Sequence, residues 1–81
     1  MTTFVRYCLR YKYSDCPFGD LARDMLQDPN IRRTWGYKTF KDYLEQRGAS
    51  GRCLDVVDDV YEAYGLMQKA LYRAKNEASP A

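Results

Sequence analysis

Ser50-Gly51-Arg52-Cys53-Leu54-Asp55-Val56-Val57-Asp58-Asp59-Val60-Tyr61-Glu62-Ala63-Tyr64 is the stretch that decides the fold. Leu54, Val57, Tyr61 and Tyr64 recur at three- and four-residue spacing, and Val56, Val60, Ala63 and Met67 form a second row beside them. That spacing is one face of a helix, and two adjacent rows make a stripe wider than a single neighbour requires. The helix is therefore expected to pack on more than one side. Ser50 can cap its first turn, and Asp55, Asp58, Asp59 and Glu62 follow in its early turns, where the positive end of the helix dipole favours the first of them. Gly65 is expected to interrupt it, at about 1 kcal/mol relative to Ala. Beyond that glycine, Leu66, Met67, Ala70, Leu71 and Ala74 carry an apolar row towards a frayed end at residues 79–81.

Earlier segments read as shorter helices, and none as a strand. Residues 3–12 place Phe4, Cys8 and Tyr11 at helical spacing beside Val5 and Leu9, with Thr2 or Thr3 as cap. Pro17 suits the first turn of a second helix, whose inner face is Phe18, Leu21, Ala22 and Met25. Pro29 disfavours helical geometry at Asp28, so this helix should stop near Gln27. Residues 30–38 are a connector or short helical turn. A third helix is expected from Thr39, where Thr39 and Asp42 have capping-box spacing, with Phe40, Tyr43 and Leu44 inward and Gly48 as a left-handed stop. The 81-residue chain is one domain, and its eight Tyr, three Phe and one Trp supply a thin core with large side chains. The expectation is an all-α bundle of four to five short helices and a longer C-terminal helix. A core spans 1–64, a helical extension 65–78, and a disordered tail 79–81.

That layout resembles the sterile-alpha-motif (SAM-like) architecture, and more closely the YozE-type, SAM-like small bacterial proteins. Thr3-Phe4-Val5-Arg6-Tyr7-Cys8-Leu9-Arg10-Tyr11-Lys12 is similar to that family's opening Ser-Phe-x-x-Trp-Leu-x-x-Phe-Lys pattern. Pro17-Phe18-Gly19-Asp20-Leu21-Ala22-Arg23-Asp24 resembles its second helix, residues 37–45 its third element, and Val57-Asp58-Asp59-Val60-Tyr61-Glu62-Ala63-Tyr64 its terminal Phe-x-x-Ala-Trp-x-x-Tyr. The likeness covers roughly residues 3–64. Tyr7 and Tyr61 replace family tryptophans, and Arg32 stands where a proline is common. The resemblance implies a compact helical fold in a bacterial cytoplasm and carries over no catalytic or binding residue.

Composition points away from catalysis. The chain has no His, so a hydrolytic triad of the usual kind is unavailable. Asp58 and Asp59 diverge by about 100° on a helix and are poorly placed as a pair. The three cysteines lack any C-x-x-C spacing, so no zinc site, disulfide or other cofactor is expected. Residues 48–52 lack the phosphate-loop pattern and read as an interhelical turn. No signal-like or bilayer-length apolar segment is seen, so the expected setting is the cytoplasm, with no membrane partner.

A net charge of +2 conceals a partition. Arg32, Arg33, Trp35, Lys38 and Lys41 form a basic and aromatic block, and Asp55, Asp58, Asp59 and Glu62 an acidic one. Opposed surfaces on a small domain suit an interaction module. The preferred expectation is a non-catalytic module that binds another protein or self-associates. Its contact would be the basic block, with the acids as counter-surface, or the apolar face Leu66, Met67, Ala70 and Leu71; that tail could equally pack back on the first helix. The alternative is a small nucleic-acid binder using Arg32, Arg33, Trp35, Lys38 and Lys41 on phosphates and bases. A mobile-element factor that inhibits a host enzyme is a further, less favoured reading.

Overall fold

The computed structural model describes residues 2–77, which carry four helices and no strand. They are α1 (Phe4–Leu9), α2 (Pro17–Gln27), α3 (Tyr37–Gln46) and α4 (Gly51–Glu77). The all-α expectation holds, with three short helices gathered against one long one. Residue 78 of the expected extension and the 79–81 tail lie outside the described residues.

The Thr3 side chain caps α1 by accepting the Arg6 amide at 3.3 Å, and the Val5 amide donates to the Trp35 carbonyl at 3.3 Å. First-turn donors, which have no partner inside a helix, are thus met by a side chain and by the connector. α1 is shorter than the expected 3–12. From Arg10 to Lys12 each amide bonds three residues back, to Tyr7, Cys8 and Leu9, so the chain tightens into a turn after Leu9. Arg23 fixes that turn from α2 by donating to the Lys12 and Ser14 carbonyls, at 3.0 Å each.

α2 begins at Pro17 and ends at Gln27, with Asp28 extended before Pro29, as the two prolines dictate. Gly19 is buried where α2 meets the preceding turn. A Cβ there would lie 1.8 Å from the Ser14 carbonyl oxygen and 2.9 Å from that of Tyr11. Only a residue without a side chain fits this crossing.

α3 starts two residues before the expected Thr39. Its N-cap is Gly36, which makes no side-chain cap, and Thr39 lies inside the first turn, so the Thr39–Asp42 capping box does not form. The earlier start puts Tyr37 and Phe40 three residues apart on one face, and both rings reach Phe4, with centroids at 5.5 and 6.2 Å. Packing outweighs the local cap. At the other end the Gly48 amide bonds Glu45 and the Ala49 amide bonds Leu44, with Gly48 at φ 77°. This is a Schellman stop, and it requires the left-handed residue that the sequence supplies.

Ser50 caps α4 by accepting the Cys53 amide at 3.2 Å. Gly65 does not interrupt the helix, and nothing lies within 4 Å of where its Cβ would be. Helical hydrogen bonds on both sides carry the chain through it. The core is Phe4, Val5, Cys8, Phe40, Val57 and Val60, each at most 1% exposed, with Leu21, Ala22 and Met25 from α2. α4 runs for about 40 Å, and the long axis of the molecule is 51 Å against 25 and 21 Å. The last turns of α4 therefore project beyond the body.

The two glycines should respond in opposite directions. Gly19→Ala must displace backbone and is expected to lower the unfolding free energy by about 1–3 kcal/mol. Gly65→Ala fills open space in a helix and should raise it by about 0.5–1 kcal/mol. Urea denaturation of the two variants beside the parent measures both.

Candidate interaction surfaces

Helix α3 is held by two similar clusters. In each, a tyrosine of α3 and the cation four residues later, Lys41 within the helix or Arg47 at its C-cap, enclose a carboxylate from outside the helix. Tyr37 donates to Asp58 of α4 at 2.5 Å, and Lys41 reaches the same carboxylate at 3.0 Å and the Tyr37 hydroxyl at 3.2 Å. Tyr43 donates to Asp28, just after α2, at 2.6 Å, and Arg47 donates to the Tyr43 hydroxyl at 2.9 Å. The spacing of four puts both members of each pair on one side of the helix.

The tyrosine hydroxyl is the leading influence on each acid. The Tyr37 hydroxyl, with Lys41 beside it, holds Asp58 below the ordinary carboxylate range, and the Tyr43 hydroxyl and Asn30 amide do the same for Asp28. Reciprocally, the carboxylates push both tyrosines up, and Asp58 raises Lys41. Burial pushes the Cys8 thiol up to about 12, so it is a packed, protonated hydrophobe and a poor nucleophile at neutral pH.

These clusters redistribute the two charge blocks. Lys41 and Asp58, expected on opposite binding surfaces, engage each other. Trp35 is half-buried, its ring 5.2 Å from that of Tyr43, and so belongs largely to the fold. Arg32, Arg33 and Lys38 remain exposed, as do Asp55, Asp59 and Glu62. Among the described residues no carboxylate pairs with Arg32, Arg33 or Lys38.

A grouping the sequence reading missed lies on the far side of α1. Arg6, Arg10 and Lys12 join Arg33 around a groove of about 320 Å³ floored by Leu9 and Leu26. Arg6 and Arg10 are four apart on the face opposite Phe4 and Cys8, which was the available signal; their nearness to Arg33 depends on the connector crossing α1. Another groove, of about 540 Å³, runs past the stacked rings of Tyr37 and Tyr61, 3.9 Å apart, to Lys38.

On the C-terminal surface, Leu66 and Leu71 are 63% and 59% exposed, and Ala70 is exposed. Met67 is half-buried against the core, and its sulfur accepts from Arg10 at 3.5 Å. Packing back on the first helix is thus limited to Met67. Tyr72, 68% exposed, extends the apolar surface and was not singled out from the sequence. No described helix is long and apolar enough to cross a membrane.

The Asp58 cluster carries a pH signature. Because the folded carboxyl titrates below its ordinary 3.8, its contribution is present above that value and is lost as pH falls through the lower folded value. Lys41 titrates above its ordinary 10.5 in the fold, so its share persists below that value and is lost as pH rises through the higher one. Asp58→Asn should therefore destabilise at neutral pH, and the gap from the parent should close well below pH 3.8. Thermal midpoints across an acid titration measure this.

Compared with family models, curated proteins and solved structures, the chain matches none.

Proposed function

We propose that this domain is a non-catalytic interaction module that binds another protein through the projecting end of α4. One observation carries the reading: the inward row of α4 outruns the body it packs against, leaving Leu71 and the neighbouring Tyr72 more than half exposed, while Leu66 is exposed on the opposite side of the helix. Exposed leucine and tyrosine on a helix end suit insertion of that helix into a partner's apolar groove. The YozE-type, SAM-like affiliation belongs to this proposal; its support is the ordered run of matching segments over residues 3–64 and the helical bundle they form.

The charge-paired form of self-association has weaker support, because Lys41 and Asp58 are already joined within one copy. The nucleic-acid reading loses ground similarly. Of its five residues, Lys41 is held by Asp58 and Trp35 leans on Tyr43, which leaves Arg32, Arg33 and Lys38 exposed.

The test is a nuclease-treated pull-down from the native host with the parent, Leu71→Asp and Tyr72→Ala. Both side chains stand clear of the core, so helix content should be unchanged by circular dichroism. The expected result is a partner retained by the parent after nuclease and weakened about tenfold or more by Leu71→Asp. Retention by both variants at parental strength would remove the α4 end as the contact.

A further inference from the structure

The outward side of α4 carries an ordered row of charges that the fold leaves unused. Asp55, Asp59, Glu62, Leu66, Lys69 and Arg73 follow one another at alternating spacings of four and three. On a helix all six therefore fall within about 40° of one line. That line is opposite Val57, Val60 and Tyr64, which face the core. All six side chains are exposed, Leu66 to 63%. The row is sorted by sign, with acids before Leu66 and cations after it. Among the described residues none of these charges has an ion-pair partner. The helix dipole does not account for the order. Its influence fades within the terminal turns, whereas Asp59, Glu62 and Lys69 lie about two turns or more from either end.

We propose that this face pairs two copies of the chain, with their α4 helices antiparallel and Leu66 near the two-fold axis. Reversing one helix against the other sets Lys69 and Arg73 of either copy beside Glu62 and Asp59 of the other. A two-fold contact uses the same patch twice and so needs a self-complementary one. A row whose sign reverses about its centre meets that need. Parallel pairing of the same rows sets like charges together and is disfavoured.

The geometry also leaves room for the approach. The core-facing side chains of α4 point away from the row, so each body lies on the outer side of the helix pair. Ala70, exposed beside Leu66, adds no bulk to hold the helices apart. From Asp55 to Arg73 the contact runs for about 27 Å. Its apolar centre is one leucine, and ion pairs in water contribute little individually, so the association is reversible, with a Kd on the order of 10⁻⁴ M. Neither the connector cations nor Lys41 take part. The face is also distinct from Leu71 and Tyr72, so its test is independent of the partner-binding reading.

The test is sedimentation equilibrium of the full chain from about 10 μM to about 1 mM, at low and at high salt. The expected result is a monomer–dimer equilibrium that weakens as salt rises. Glu62→Lys and Lys69→Glu should each weaken it about tenfold, because each sets like charges together at two symmetric places. Both changes in one chain restore opposite signs and should return the affinity to within about threefold of the parent. Leu66→Gln should weaken it about fivefold, and Leu71→Ala, on the other side of the helix, should leave it within about twofold. The substituted side chains are all exposed, so helix content by circular dichroism should stay at the parental level. A chain that remains monomeric at about 1 mM in low salt overturns the proposal. So does a double variant no stronger than the single ones, since the acids and cations would then not be opposed. Assembly that grows past the dimer, or weakening by Leu71→Ala alone, would likewise overturn the two-fold contact.

Discussion

Everything in this bundle is arranged around the ring of Phe4. Tyr37, Tyr61 and Tyr64 meet it edge-on, with centroids 5.5–5.7 Å away, and Phe40 lies against it at 6.2 Å. The positive edge of one ring against the negative face of another makes such contacts favourable beyond the area they bury. In so short a chain this matters, because the interior is only a few side chains deep. Phe4 belongs to the six-residue α1, which could not persist alone and is stable only when packed against α2, α3 and α4 together. The position of the connector, and hence of Arg33, follows from that packing.

The second constraint is where charge is satisfied. α3 lies between carboxylates of α2 and α4, and its two tyrosine–cation pairs secure it to both. Each cluster combines a hydrogen bond to a charged acceptor with a neighbouring ion pair, an arrangement stronger than an isolated surface pair. The cations so used are unavailable to partners, whereas those on α1 and the connector remain free of internal acids among the described residues. A division between charges that hold the fold and charges that face outward replaces the simpler division into a basic and an acidic block.

Much of this was legible in the sequence. Pro17, Pro29, Gly48 and Ser50 act through backbone geometry or a local hydrogen bond, so α2 and the α3–α4 turn were read correctly from neighbouring residues alone. The paired apolar rows of α4 likewise reported that it packs on more than one side. The errors lie where distant residues decide. The start of α3 moves to suit Phe4, more than thirty positions away. The pairing of Lys41 with Asp58 depends on how α3 lies against α4, and the company that Arg33 keeps depends on the path of the connector. Gly65 misled for a different reason: one glycine in a 27-residue helix costs too little to break it.

The contacts of the first turn also set an order of events. Tyr64 donates to the Thr2 carbonyl at 2.6 Å across 62 positions, and Gln68 supports the Tyr64 hydroxyl at 2.7 Å. Tyr37 and Phe40 cover part of the Phe4 ring, and the cover is complete only when Tyr61 and Tyr64 are present. A bundle of this size usually gains speed from local contacts, but here the central ring is closed by the most distant ones. On a ribosome, α1 and α2 emerge with an incomplete core and must wait for α4, so the domain forms in one late, cooperative step rather than helix by helix.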